Sequence, residues 1–77
     1  MESNAQIRLD YEQQLAALAA EEADALAAAA GRIQLQIDVG VGADRQADHA
    51  LLMTMSDAAL ARAAVHDETV RMLRAAA

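Results

Sequence analysis

The residues of this chain that could support catalysis or metal binding are two histidines and a few neighbouring carboxylates. His49 and His66 each directly follow an aspartate, and they lie 17 positions apart. Adjacent residues of a helix point about 100° apart, and this gap matches no zinc-binding spacing. The acids Glu21 and Glu22 would need a pocket that shifts a pKa before they could act as a general acid and base. We expect a small fold without such a pocket, and therefore no enzymatic activity, no catalytic residue and no metal site.

The stretch Gly-Val-Gly at 40–42 is the only one that could be compared with a phosphate-binding loop. It lacks the third glycine and the sequence that follows in such loops. We therefore expect no bound cofactor and no small-molecule substrate. Its glycines are more typical of a chain reversal between two elements.

The segment before these glycines can be interpreted as a strand or as a helix. Residues 33–41 alternate apolar and polar side chains, the pattern of a half-buried strand. Ile33 and Ile37 also continue the i, i+4 spacing of the preceding segment, and Asp44 would then begin a second helix after the turn. The choice between these interpretations decides the fold.

The helical interpretation predicts an all-α antiparallel two-helix hairpin, a single small helical domain over 1–77 with its turn near 40–44. Helical spacing at 3.6 residues per turn predicts two buried apolar stripes. The first comprises Ile7, Tyr11, Leu15, Leu18, Ala25, Leu26, Ala29, Ile33 and Ile37, and the second Ala47, Leu51, Met55, Ala58, Val65, Met72 and Leu73. The alternative is an α+β fold of order α-β-β-α, which pairs 32–41 with 50–55 and starts the last helix at Ser56. Two strands alone are marginally stable, so that fold would need another chain.

One charged residue interrupts each predicted stripe. Glu22 lies near the middle of the first stripe and Arg62 near the middle of the second. If the chain folds back about Gly42, residue i lies opposite residue 84 − i, so these two residues meet. The alternative is that a partner chain supplies both counter-charges. We predict a structural charge pair, which would set the register of the helices more than it adds stability.

Composition predicts a thin core and a protein partner. The chain has 77 residues, no cysteine, one aromatic residue and 22 alanines, which favour helix but bury little area. The net charge of −6 lies mainly in the first half and disfavours nucleic-acid binding. Since there is no apolar leader and no apolar run of about 18 residues, we expect a cytoplasmic protein that does not bind membranes.

The second helix carries apolar residues on more than one face. Leu52, Met53 and Leu60 point away from its predicted stripe. A second apolar face on a small helical protein usually marks an interface. We therefore expect binding of a protein partner, or self-association, through the second helix.

A turn at 40–44 followed by Leu-Met-Thr-Met-Ser-Asp-Ala-Ala-Leu at 52–60 resembles the small E-type co-chaperones of the type III secretion needle subunit. The resemblance covers roughly residues 20–65. It implies a two-helix hairpin that binds a helical-repeat chaperone, and the two together hold the needle subunit unpolymerised in the cytoplasm. The partner-binding residues that it implies are Leu52, Met53, Ala59, Leu60 and Ala63. Arg62 departs from the family, where an aliphatic residue is expected.

Two alternative functions follow from other features of the sequence. The α-β-β-α interpretation resembles the small head-tail joining proteins of tailed phages, in which a glycine ends the first helix and a Ser-Asp pair starts the last. The acidic first half would instead suit a phage-encoded inhibitor that occupies a basic site on a host complex.

Overall fold

The computed structural model describes residues 3–76, and these form two long helices joined by a short turn. Helix α1 spans Asn4–Asp38, a 3-10 helix spans Ala43–Arg45, and helix α2 spans Gln46–Ala76. Residues 1, 2 and 77, which the predicted 1–77 domain includes, lie outside the described part of the chain. The all-α prediction is confirmed.

Helix α1 begins at a side-chain cap and continues through the ambiguous segment. The Gln6 backbone N–H donates to Ser3 Oγ at 3.2 Å, which satisfies one of the free donors of the first turn. Between residues 3 and 76 there is no strand, so the α-β-β-α alternative is wrong. The alanine-rich run before Ile33 has already formed a helix, and adding residues to an existing helix is easier than starting a new element. Ser56 lies inside α2 instead of starting a helix.

The turn depends on two glycines with different roles. Gly40 adopts a φ of +86°, in the left-handed region, and the Val41 N–H donates to the Gln36 carbonyl at 3.0 Å. This six-to-one bond is the usual way in which a left-handed residue ends a helix. Gly42 then passes close to the end of α1, where a Cβ atom would lie 2.9 Å from Gln36 Cβ and 3.2 Å from the Ile37 backbone nitrogen.

Gly42→Ala should therefore destabilise the hairpin by about 1–3 kcal/mol, because the new methyl group meets backbone that cannot easily move. The matched control is Gly31→Ala, since a Cβ there would meet nothing within 4 Å. That change should stabilise the chain by up to about 1 kcal/mol through helix propensity alone. Chemical denaturation followed by circular dichroism would measure both, and equal effects would contradict this account of the turn.

The core is a narrow seam of small residues between α1 and α2. The buried residues are Ala16, Ala19, Ala23, Ala30 and Ile33 on α1, and Ser56, Ala59, Ala63 and Val70 on α2. Along each helix these residues are separated by three, four or seven positions. This is the spacing of the heptad repeat of coiled coils. Small side chains at these positions let two helix backbones approach closely, and none of the large side chains between residues 3 and 76 is fully buried.

The two apolar stripes predicted from the sequence are wrong for most of their bulky members. Tyr11 and Leu18 on α1, and Leu51 and Val65 on α2, each expose more than half of their surface. A helical wheel with 3.6 residues per turn assigns such bulky residues to the core when each position is weighted by side-chain size. The seam instead follows a 3.5-residue repeat made mostly of alanines, and alanines carry almost no weight on such a wheel.

Contacts across the seam set the alignment of the helices. Arg45 Nη1 donates to Gln36 Oε1 at 3.2 Å near the turn, and Ser56 Oγ donates to the Ala23 carbonyl at 2.9 Å farther from it. In the seam, residue i thus faces about residue 79 − i. The predicted alignment of 84 − i is wrong by about five residues, so Ala58 and Leu51, which it places opposite Leu26 and Ile33, do not face them.

Candidate protein-interaction face

The two charges that interrupt the predicted stripes contact each other. Arg62 Nη2 donates to Glu22 Oε2 at 2.8 Å, and the two side chains are 51% and 53% exposed. Both residues flank the seam near the middle of their helices, and their length lets them meet across the five-residue offset. A pair this exposed contributes less than about 1 kcal/mol to stability, so its importance lies in what surrounds it.

Apolar side chains surround this ion pair on both helices. Residues three, four, seven, ten or eleven positions from Glu22 or Arg62 lie on the same side of their helix, some of them in the seam and others exposed. The exposed large apolar ones are Tyr11, Leu18, Leu51, Met55, Val65 and Met72, and each is 43% to 63% exposed. We call these six residues with the ion pair the Glu22–Arg62 face. It extends along both helices, which makes it a broad surface and not a single stripe.

The opposite broad side of the hairpin is polar. Asp57 and Asp67 lie three and seven positions from Leu60 in α2, so they share its side of the helix, and both are exposed. On α1, exposed amide and acid side chains bond along the helix on that side, as in the 2.8 Å bond from Gln34 Nε2 to Asp38 Oδ1. The hairpin therefore has one apolar and one polar side.

The residues predicted to bind a partner do not form one surface. Ala59 is fully buried at 0% exposure and Ala63 is buried in the same seam, so neither is accessible to another protein. Leu52 is half-buried, while Met53 and Leu60 are exposed on the polar side. The larger apolar surface was missed because its residues were assigned to the core. The sequence did contain its signal, since Leu51, Ala58, Val65 and Met72 recur every seven residues.

A contact between a histidine and a carboxylate lies inside the seam. His66 Nδ1 lies 2.7 Å from Glu12 Oε2, and these side chains are 27% and 16% exposed. Both occupy heptad positions that apolar residues such as Ala19, Ile33 and Ala59 fill elsewhere, so each needs the other to satisfy its polar atoms. Among the contacts of residues 3–76, neither a nucleophile nor a second base adjoins this pair. Its geometry is that of a contact that joins the two helices.

The other histidine lies far from His66. His49 lines a shallow, open groove of about 290 Å³ near the turn, together with Gln34, Ile37, Gln46 and Ala50. Within residues 3–76, no group of three or more histidine or acidic side chains could hold a metal ion. An exposed pair between Glu68 and Arg71 raises the pKa of the Arg71 guanidinium, chiefly through their hydrogen bond.

No protein-family model, no curated protein and no solved structure matches this chain. Across the described residues, neither helix combines the length and apolar character that crossing a membrane requires. The Glu22–Arg62 face is therefore interpreted from its own geometry.

Proposed function

We propose that this chain is a cytoplasmic, non-enzymatic protein-interaction module, built as an antiparallel two-helix hairpin that binds a helical partner through the Glu22–Arg62 face. The supporting observation is the contrast between the two broad sides of the hairpin. One carries six large apolar side chains that are each 43% to 63% exposed, and the other carries acids and amides beside Met53 and Leu60. Contiguous apolar surface with a polar surround is typical of protein interfaces.

The shape of this face favours helices as its partner. Its apolar residues follow α1 and α2 at helical spacing, in one row on each helix. Amphipathic helices bind elongated apolar surfaces of this kind with residues at i, i+3, i+4 and i+7. Met55 and Met72 can adapt to the partner, since unbranched thioether side chains repack easily.

The resemblance to needle co-chaperones suggests one such partner, a helical-repeat chaperone. In this form of the proposal, the expected contact residues change. The Glu22–Arg62 face replaces the surface around Leu52, Met53, Ala59, Leu60 and Ala63, because two of those five residues are buried. Met53 and Leu60 then lie on the side of the hairpin that stays in solvent.

The test compares tagged wild-type chain with two variants as baits in the native cells, followed by identification of bound proteins. Val65→Asp places a carboxylate on the Glu22–Arg62 face, and Leu60→Asp places the same group on the polar side. Both positions are exposed in α2, so the hairpin itself should tolerate either change.

We expect bound proteins, including further copies of the chain, to be lost with Val65→Asp and retained with Leu60→Asp. Burying an unpaired carboxylate in an interface costs several kcal/mol, so the loss should exceed about a hundredfold. Equal recovery by all three baits would contradict the proposal, and a loss confined to Leu60→Asp would return the interface to the predicted surface.

A further inference from the structure

The Glu22–Arg62 face combines apolar rows with a central acid and a central base, so it is close to complementary to itself. Glu22 and Arg62 lie side by side at its middle, with the acid on α1 and the base on α2. A surface with equal and opposite charges on its two halves can bind its own copy about a two-fold axis. We infer that the partner of this face is a second copy of the chain, in a four-helix dimer with both turns at the same end. This inference rests on the proposed function and names its partner.

The dimensions of the hairpin suit such a dimer. It measures 58 × 18 × 12 Å over its Cα atoms, and the apolar face lies on the broad side. A standard protein interface needs about 800 Å² from each partner, which a surface of this length and width can provide. Pairing two faces would bury all six large apolar residues, while the two polar sides stay in solvent.

The charges select one of two possible alignments. If α1 lies on α1 with the turns at opposite ends, Glu22 lies near Glu22 of the second copy, and the two arginines are likewise close. If α1 lies on α2 with the turns at the same end, Glu22 lies over α2 of the second copy, at the same five-residue offset from Arg62 that the two side chains bridge within one hairpin. Each charge then has opposite charges on both neighbouring helices, which forms a closed ring of four.

Side-chain size and a second charge pair favour the same alignment. With residue i level with 79 − i, Ala25 of one copy lies within one residue of the height of Met55 of the other, so a small side chain meets a large one. Arg32 likewise lies within one residue of the height of Asp48 of the second copy, which again pairs opposite charges.

The first experiment is sedimentation equilibrium of the full chain and two charge variants. Glu22→Lys leaves two cations at the centre of the face, and Arg62→Glu leaves two anions. Each variant alone should dimerise at least about tenfold more weakly than wild type, because like charges then meet across the interface. An equimolar mixture of the two should restore dimers of wild-type affinity, since cationic and anionic faces now match.

This rescue distinguishes an effect between copies from damage within one hairpin, because each variant keeps its internal repulsion in the mixture. Far-UV circular dichroism checks that both variants remain helical. A wild-type chain that stays monomeric up to about 100 µM, far above the dissociation constants of ordinary dimers, would overturn the inference. Charge variants that dimerise like wild type would overturn it as well.

The second experiment measures the alignment directly. The chain has no cysteine, so Val41→Cys gives a single site for a spin label at the exposed turn. The same-end dimer predicts a label-to-label distance well below half of the 58 Å length of the hairpin, and the opposite alignment predicts one near or above the full length. A long distance would overturn the same-end dimer.

Failure of this inference and failure of the proposed function give different results. If the chain is monomeric but its bait captures another protein that the Val65→Asp bait does not capture, only the second copy is ruled out as the partner. If the chain is monomeric and the three baits behave alike, both the dimer and the proposed function are contradicted.

Discussion

Ala59→Leu should lower the free energy of unfolding by about 3 kcal/mol, at the upper end of the range for overpacked cores. Ala59 is the only residue with 0% exposure among the buried core residues of the described chain. It lies in the middle of the seam, where small residues set the separation of α1 and α2. A leucine there would push the helix backbones apart and weaken the neighbouring contacts, including the bond from Ser56 to Ala23.

Ala64→Leu is the matched control for this prediction. Ala64 is exposed on the polar side of the same helix, and the change in side chain and helix propensity is identical. Its effect should stay within about 0.5 kcal/mol of zero, as is usual for surface positions. Thermal and urea denaturation of both variants at one protein concentration would measure the difference. Similar stabilities for the two variants would show that the helices do not pack through this seam.

The second large effect concerns the contact between Glu12 and His66 inside the seam. His66→Leu should cost about 1–3 kcal/mol, because it leaves the Glu12 carboxylate, at 16% exposure, without its partner. Glu12→Leu should cost less, because the remaining imidazole, at 27% exposure, is more accessible to water than the carboxylate, at 16%. The double change to leucine should be neutral or stabilising, since two apolar side chains then meet at facing seam positions.

A double-mutant cycle on these three variants and wild type would measure the coupling between Glu12 and His66. We expect a coupling energy of about 1–3 kcal/mol, as found for residues in direct contact. Additive effects would mean that the 2.7 Å contact makes no net contribution. The three variants should bind partners as wild type does, because neither residue belongs to the Glu22–Arg62 face.

An alanine seam explains why this hairpin should need a partner. Alanine loses little area on burial, so the hydrophobic contribution of the seam is small for its length. The side chains that could contribute more, such as Val65 and Met72, are instead exposed on one side. Binding at that side would stabilise the folded hairpin by mass action as well as by contact.

Several local features could be predicted from the sequence because they depend on neighbouring residues. Ser3 caps α1, and the turn lies at the glycines between residues 39 and 43, since a left-handed backbone at Gly40 requires glycine. The contact between Glu22 and Arg62 also matched the expected pairing, although the alignment used to obtain it was wrong by about five residues. Long, flexible side chains tolerate such an error, whereas short ones do not.

The sequence by itself determined the two helices and the reversal between them, because helix propensity, capping and left-handed glycine are properties of short segments. Only the tertiary structure decided which side of each helix is buried. Each helix has two candidate stripes, one of alanines and one of larger apolar residues. Close packing of helix backbones favours small residues along the middle of the seam, as at Ala23 and Ala59, and larger ones such as Ile33 and Val70 are buried only toward its ends. The larger residues are thereby left on the surface, which is where the proposed partner binds.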